Sequence, residues 1–204
     1  ASVAEAAGPY SGAAQLLISG SGEGSGFRIQ NAASVALSAT PASASSPADY
    51  NLLTTLLEVP ANAASPVALS FQVAIVDDAI DEANETFTLG FGAVSGTGAL
   101  SATGTQLVTI IDDDLAGVTV TQSGGSTNVT EGGATDTYTL VLSSQPTANV
   151  VIALNSGTQL TTVPTSVTFT SANWDQSQTV TVTAVDDVIA EGNHSGTITH
   201  AVTS

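Results

Sequence analysis

Five carboxylates, Asp77, Asp78, Asp81, Glu82 and Glu85, fall within the thirteen residues 75–87, IVDDAIDEANETF. A second acidic run, Asp112-Asp113-Asp114, follows later in the chain. Each pair of such charges near 4 Å repels by about 1 kcal/mol even at the dielectric of water, and by more when partly buried. Several pairs would offset a good fraction of the roughly 5–15 kcal/mol that keeps a domain folded. The chain has almost no cations of its own: Arg28 alone stands against eighteen acids, there is no Lys, and the formal charge is −17. Divalent cations are the natural counterions. Calcium takes six to eight hard oxygens from carboxylates, backbone carbonyls and water, which is the donor set offered here. The plainer reading is a solvated acidic loop that aids solubility; the clustering of acids on two segments expected to meet argues against it.

The same charge excludes other partners. Phosphate backbones and anionic membrane surfaces would be repelled, so neither nucleic acid nor membrane is expected. No apolar run reaches the length of a membrane span and no signal peptide is visible. Cys is absent, so no disulfide framework exists. Enzyme chemistry is not expected. His194 and His200 lack a defined third zinc ligand, and His200, alternating with Ile198 and Val202, is expected beside a sheet. No nucleophile elbow occurs. Asp77 and Asp78 as a glycosidase pair would sit in a dense anionic cluster without an aromatic sugar platform. Trp174, the one tryptophan, is expected to cover a core edge rather than to bind sugar.

Ala, Val, Thr, Ser and Gly dominate and aromatics make up only 4%, a composition that suits packed sheets with many turns. Alternating apolar residues predict strands over 67–75 and 180–184, and shorter ones at 16–18, 27–29, 35–37, 86–91, 106–111, 118–121, 137–142, 150–154 and 167–170. No helix-period segment appears, so the chain is all-β, built as β-sandwiches. It is also repeated. Residues 75–89 align with AVDDVIAEGNHSGTI, residues 184–198, pairing Val76, Asp77, Asp78, Ile80, Glu82 and Asn84 with Val185, Asp186, Asp187, Ile189, Glu191 and Asn193. VAEAAG (3–8) aligns with VTEGGA (129–134) and sets Glu5 over Glu131. Two modules follow, residues 1–114 and 115–204, joined through IIDDDLAGV (110–118).

A strand followed by D-D-x-I-x-E-x-x-E-x-F, and a later strand ending I-x-D-D-D, resembles the Calx-β domain. That family occurs in sodium–calcium exchangers, an integrin β subunit and many bacterial surface and secreted proteins. The resemblance covers nearly the whole chain as two tandem copies. It implies immunoglobulin-like antiparallel sandwiches with Ca2+ at one end. It implies metal ligation in the first module by Glu5, Asp49, Asp77, Asp78, the Ile80 carbonyl, Glu82, Glu85, Asp112, Asp113 and Asp114. In the second module only Glu131, Asp186, Asp187, the Ile189 carbonyl and Glu191 match, enough for one weak site or none. His194 replaces Glu85, no acid matches Asp49, and no terminal triplet follows.

The chain begins at Ala1 without Met, which reads as a processed product or fragment. The first module is expected to lack its first strand and the second its last, either because the array is longer or because a neighbouring chain supplies a strand, as in a filament. The reading is a non-enzymatic, calcium-binding structural and adhesive module of a large extracellular or bacterial cell-surface protein. In it, calcium at the interdomain junction would stiffen the tandem. Its expected partners are calcium ions, adjacent repeats or neighbouring copies, and a cell-surface or polysaccharide ligand. The alternatives are a reversible calcium sensor and an accessory carbohydrate-binding module of a secreted hydrolase.

Overall fold

The computed structural model describes residues 1–16, 31–64, 67–96 and 104–203. The strand expected at 27–29, residues 17–18 of its predecessor, and Arg28 lie outside the described residues. Among those described there is no α-helix; single turns of 3-10 helix occur at Glu5–Ala7 and Ser123–Gly125. The chain forms two compact units, Ala1–Asp78 with Glu82–Asp113, and Ala79–Asp81 with Asp114–Ser204.

In the first unit the strands are β1 (Ser2–Ala4), β2 (Tyr10–Leu16), β3 (Ala33–Pro41), β4 (Tyr50–Leu52), β5 (Leu56–Val59), β6 (Val67–Ile75), β7 (Glu85–Ser95) and β8 (Thr105–Ile111). They make one sheet in the order β1-β8-β7-β3-β5 and another in the order β2-β6-β4. Period-two alternation builds the core between them. Val67, Leu69, Phe71, Val73 and Ile75 of β6 are buried, while Ala68, Ser70 and Gln72 between them are exposed. From the other sheet come Val35, Leu57, Phe87, Leu89, Val108 and Ile110, in one continuous cluster. Burying each such side chain contributes about 1.5–3 kcal/mol. All pairings are antiparallel except β1 with β8, which run parallel with Val3 opposite Ile110. The first unit opens with β1, a strand that alternation did not predict. Three residues with one apolar side chain give little periodic signal; the strand exists because β8 offers it a ladder, and Thr109 N–H donates to the Ala1 carbonyl at 2.9 Å.

The second unit holds β9 (Val118–Gln122), β10 (Asp136–Leu142), β11 (Val150–Asn155), β12 (Leu160–Val163), β13 (Ser166–Phe169), β14 (Gln178–Ala184) and β15 (Thr199–Thr203). The sheets are β12-β14-β10-β9 and β13-β11-β15, around Leu140, Ile152, Phe169, Val180 and Val182. The order repeats that of the first unit, with β10 to β15 in the places of β2 to β7. One difference is local. Residues 128–130, aligned with β1, form no strand; here β9 pairs antiparallel with β10 instead. Trp174 packs partly buried against this core. His200 sits on β15, its Nε2 3.1 Å from the Tyr138 hydroxyl and its ring edge-on to the tyrosine.

Candidate metal centre

Four segments distant in sequence meet at one end of the first unit: the turn after β1, the residue before β4, the loop between β6 and β7, and the end of β8. Each is set by a strand end. Ala6 N–H donates to Asp113 Oδ1 at 3.4 Å. Asp112 N–H donates to Asn84 Oδ1 at 3.1 Å, which ties the acidic loop to the end of β8. Val76 N–H donates to the Asp49 carbonyl at 3.0 Å. Tyr50, next to Asp49, stacks on Phe87, two residues beyond Glu85, with ring centroids 4.0 Å apart and planes 13° from parallel. Both rings are fully buried, so this stack fixes the roots of both acids.

Two groups of carboxylates result. Glu5, Asp112 and Asp114 each bring an oxygen within 4.8 Å of the others, and so do Asp49, Glu82 and Glu85. Asp114 is the residue at which the chain leaves the first unit. Glu5 is only 7% exposed, an unusual place for an acid with no basic partner among the described residues. Its pKa is raised to about 7, first by burial and then by Asp78, Asp112, Glu82 and Asp113. Glu85 is raised to about 6 by burial, by its hydrogen bond with Asp49 and by the charges of Asp49 and Glu82. Glu82 moves in the same direction, through burial and then Asp78, Asp49 and Asp112.

Of the remaining expected residues, Asp78 acts on Glu5 and Glu82 through its charge, while Asp77 is exposed and belongs to neither group. Asp113 receives the Ala6 N–H. Ile80 lies in Ala79–Asp81, which clusters with the second unit; there Asp81 Oδ2 accepts from Ala116 N–H at 3.1 Å. Asn84 is the organiser that sequence reasoning missed. It was legible only as an aligned repeat position. Ser45, whose backbone N–H and hydroxyl both donate to Asp49, carried no signal at all.

The Calx-beta domain family model matches residues 11–114 and again 152–199. The chain belongs to the Calx-beta domain family. Solved structures similar to this Calx-beta chain include CBD12 from CALX1.2, 18% identical over 98% of this chain and 76% of that one, with a TM-score of 0.44. The calcium binding domain CBD12 of CALX1.1 is 20% identical over 89% and 71%, with a TM-score of 0.45. The apo form of the Calx CBD1 domain is 24% identical over 55% and 89%, with a TM-score of 0.43. A comparison with curated proteins finds no match.

The donor set of the first Calx-beta unit fits calcium. Every group in it is a hard oxygen, and the Asp112 Oδ1 atom is buried with no hydrogen-bond partner. Ionising Glu5 fully in the metal-free fold costs about 3 kcal/mol, from the rise to about 7. A buried carboxylate oxygen with no donor, beside a glutamate reluctant to ionise, is a place where bound positive charge stabilises the fold. A resident Ca2+ would be held by Glu5, Asp112 and Asp114, with Asp49, Glu82 and Glu85 beside them, and would neutralise the negative charge gathered there.

The second Calx-beta unit differs. Among the described residues, none of its acids gathers into a group of three. Glu131, at the position of Glu5, is exposed, as are Asp186 and Asp187. Asp187 Oδ1 accepts the Ile189 N–H at 2.7 Å, a turn bond that uses one carboxylate oxygen locally.

Proposed function

We propose that the chain is a calcium-stabilised structural and adhesive module of a large extracellular or bacterial cell-surface protein. The observation that carries the calcium reading is the buried, partnerless oxygen of Asp112 beside a Glu5 whose pKa is raised to about 7. Its mechanism is electrostatic. Metal-free, the carboxylates repel and the end of the unit is destabilised; a bound divalent cation turns repulsion into cross-bracing and selects the folded, closed arrangement. Asp112–Asp114 is also the covalent path into the second unit, so a cation held there restricts that path and stiffens the tandem. The extracellular, adhesive reading is supported by the absence of Cys, the lack of Lys and the strong negative charge. Nothing in the acid groups resembles a catalytic arrangement.

The test is calorimetric titration of chelator-stripped protein with CaCl2. Saturable binding, abolished by Asp112→Asn with Asp49→Asn, is expected. The midpoint is expected in the 10⁻⁴–10⁻³ M range of extracellular modules; a value near 10⁻⁶ M would instead mark a sensor. Absence of heat at millimolar calcium would reduce the acids to a solvated surface.

A further inference from the structure

The two units differ at one constellation, and the hydrogen bonds fix the correspondence. In the first, Val76 N–H donates to the carbonyl of Asp49; in the second, Val185 N–H donates to the carbonyl of Gln159, at 3.0 and 2.9 Å. Tyr50 pairs with Ile75, and Leu160 pairs with Ala184. Gln159 therefore stands where Asp49 stands. The acidic-loop alignment already sets Glu191 at Glu82 and His194 at Glu85. The carboxylate trio Asp49, Glu82 and Glu85 thus becomes Gln159, Glu191 and His194.

The replacements change the chemistry from acceptors alone to donors around one acceptor. Gln159 Nε2 lies 3.0 Å from both Oε1 and Oε2 of Glu191, 32 residues away in sequence. The amide nitrogen thus donates to the Glu191 carboxylate, with one N–H shared between its two oxygens. His194 Nε2 lies 3.4 Å from Glu191 Oε2, and its Nδ1 lies 3.0 Å from the Gly192 carbonyl. In the first unit the corresponding acids face one another instead.

We propose that the second unit closes its acidic loop without a cation. Gln159 donates to Glu191 directly and takes over the bridging that a cation would perform among Asp49, Glu82 and Glu85; His194 adds to it when both ring nitrogens carry protons, because its Nδ1–H is directed at the Gly192 carbonyl. The tandem is then asymmetric: calcium acts on the first unit, and the second is a metal-independent partner. The calcium half of this statement rests on the function proposed above; the bridge itself does not.

Trp174, the one tryptophan, packs against the second core, so its fluorescence follows the second unit within the full chain, while Tyr10 and Tyr50 report mainly on the first. The full chain is melted in CaCl2 and in chelator while Trp174 is followed. The wild-type Trp174 midpoint is expected to be the same in both, and Gln159→Ala to lower it by several degrees in both. The double variant Gln159→Asp/His194→Glu restores three acids. It is expected to lower the midpoint in chelator, to recover it in calcium, and to bind one more ion than wild type by calorimetry.

The proposal is overturned if Gln159→Ala leaves the midpoint unmoved in both media. It is equally overturned if the Trp174 midpoint still shifts with calcium in the Asp49→Asn/Asp112→Asn variant, which has lost binding in the first unit. Should the double variant not fold, those two arms still decide. A wild type that binds no calcium at all sinks the function proposed above, while the Gln159→Ala result continues to judge the bridge.

Discussion

Glu5 and Asp112 show how burial gives a carboxylate a role that its type alone does not. Glu5→Gln removes a charge that the metal-free fold resists, so in chelator the variant is expected to melt higher than wild type, by up to about 3 kcal/mol. In calcium the order reverses, because an oxygen ligand has lost its charge; a tenfold or greater loss of affinity, about 1.4 kcal/mol, is expected by calorimetry. A neutral glutamine that melted lower than wild type in both media would show Glu5 to be a structural acid only. The pH dependence follows the same sign. Folded Glu5 and Glu85 have pKa values near 7 and 6, above the ordinary 4.5. Their stability contribution in the metal-free protein is complete below pH 4.5 and is lost as pH rises through 6 and 7. Chelated protein should therefore melt higher at pH 5 than at pH 8, and saturating calcium should remove or invert that difference.

At the level of elements, strand ends and one aromatic stack determine where the acids stand. Phe87→Leu keeps every carboxylate but loses the stack on Tyr50, which itself contributes about 0.5–1.5 kcal/mol beyond burial. The expected outcome is a lower melting temperature together with weaker calcium binding, a pairing that a purely remote core defect would not produce. A different constraint holds β2 against β6. A Cβ at Gly12 would collide with the ring of Phe71, a buried core residue. Gly12→Ala should cost about 1–3 kcal/mol through overpacking, read in the tyrosine transition with little change in that of Trp174. Alternation made these strands legible: β6 and β14 each show apolar residues at every second position. It did not reveal β1, whose existence depends on the parallel ladder that β8 offers, nor β9's choice of β10 as partner.

For the whole molecule, a charge of −17 with one Arg makes repulsion a property of the chain and not only of its site. Screening shortens its reach from about 10 Å at 0.1 M salt to about 3 Å at 1 M. In chelator the melting temperature should thus climb with NaCl, while in saturating calcium the first unit's transition should be nearly flat. A salt response equal in both media would place the repulsion outside the acid groups. The two units carry separate cores and are expected to melt as separable transitions, one calcium-dependent and one not.

The sequence by itself determined what local periodicity and repetition can encode: an all-β chain, two aligned copies, and an acidic loop with a second acidic run. Alternation forces those strands because every second side chain must leave water, and the loops must then fall at strand ends. Only the tertiary structure decided which acids meet. Glu5 joins Asp112 and Asp114, and Asp49 joins Glu82 and Glu85, while Asp77, the first acid of the motif, joins neither. It also placed Gln159 where Asp49 has its counterpart and set it against Glu191. Ala6 and Asp113, 107 residues apart, touch because β1 runs parallel beside β8 in one sheet. Contacts of that separation are set by which strands pair, and no local pattern of residue types records them.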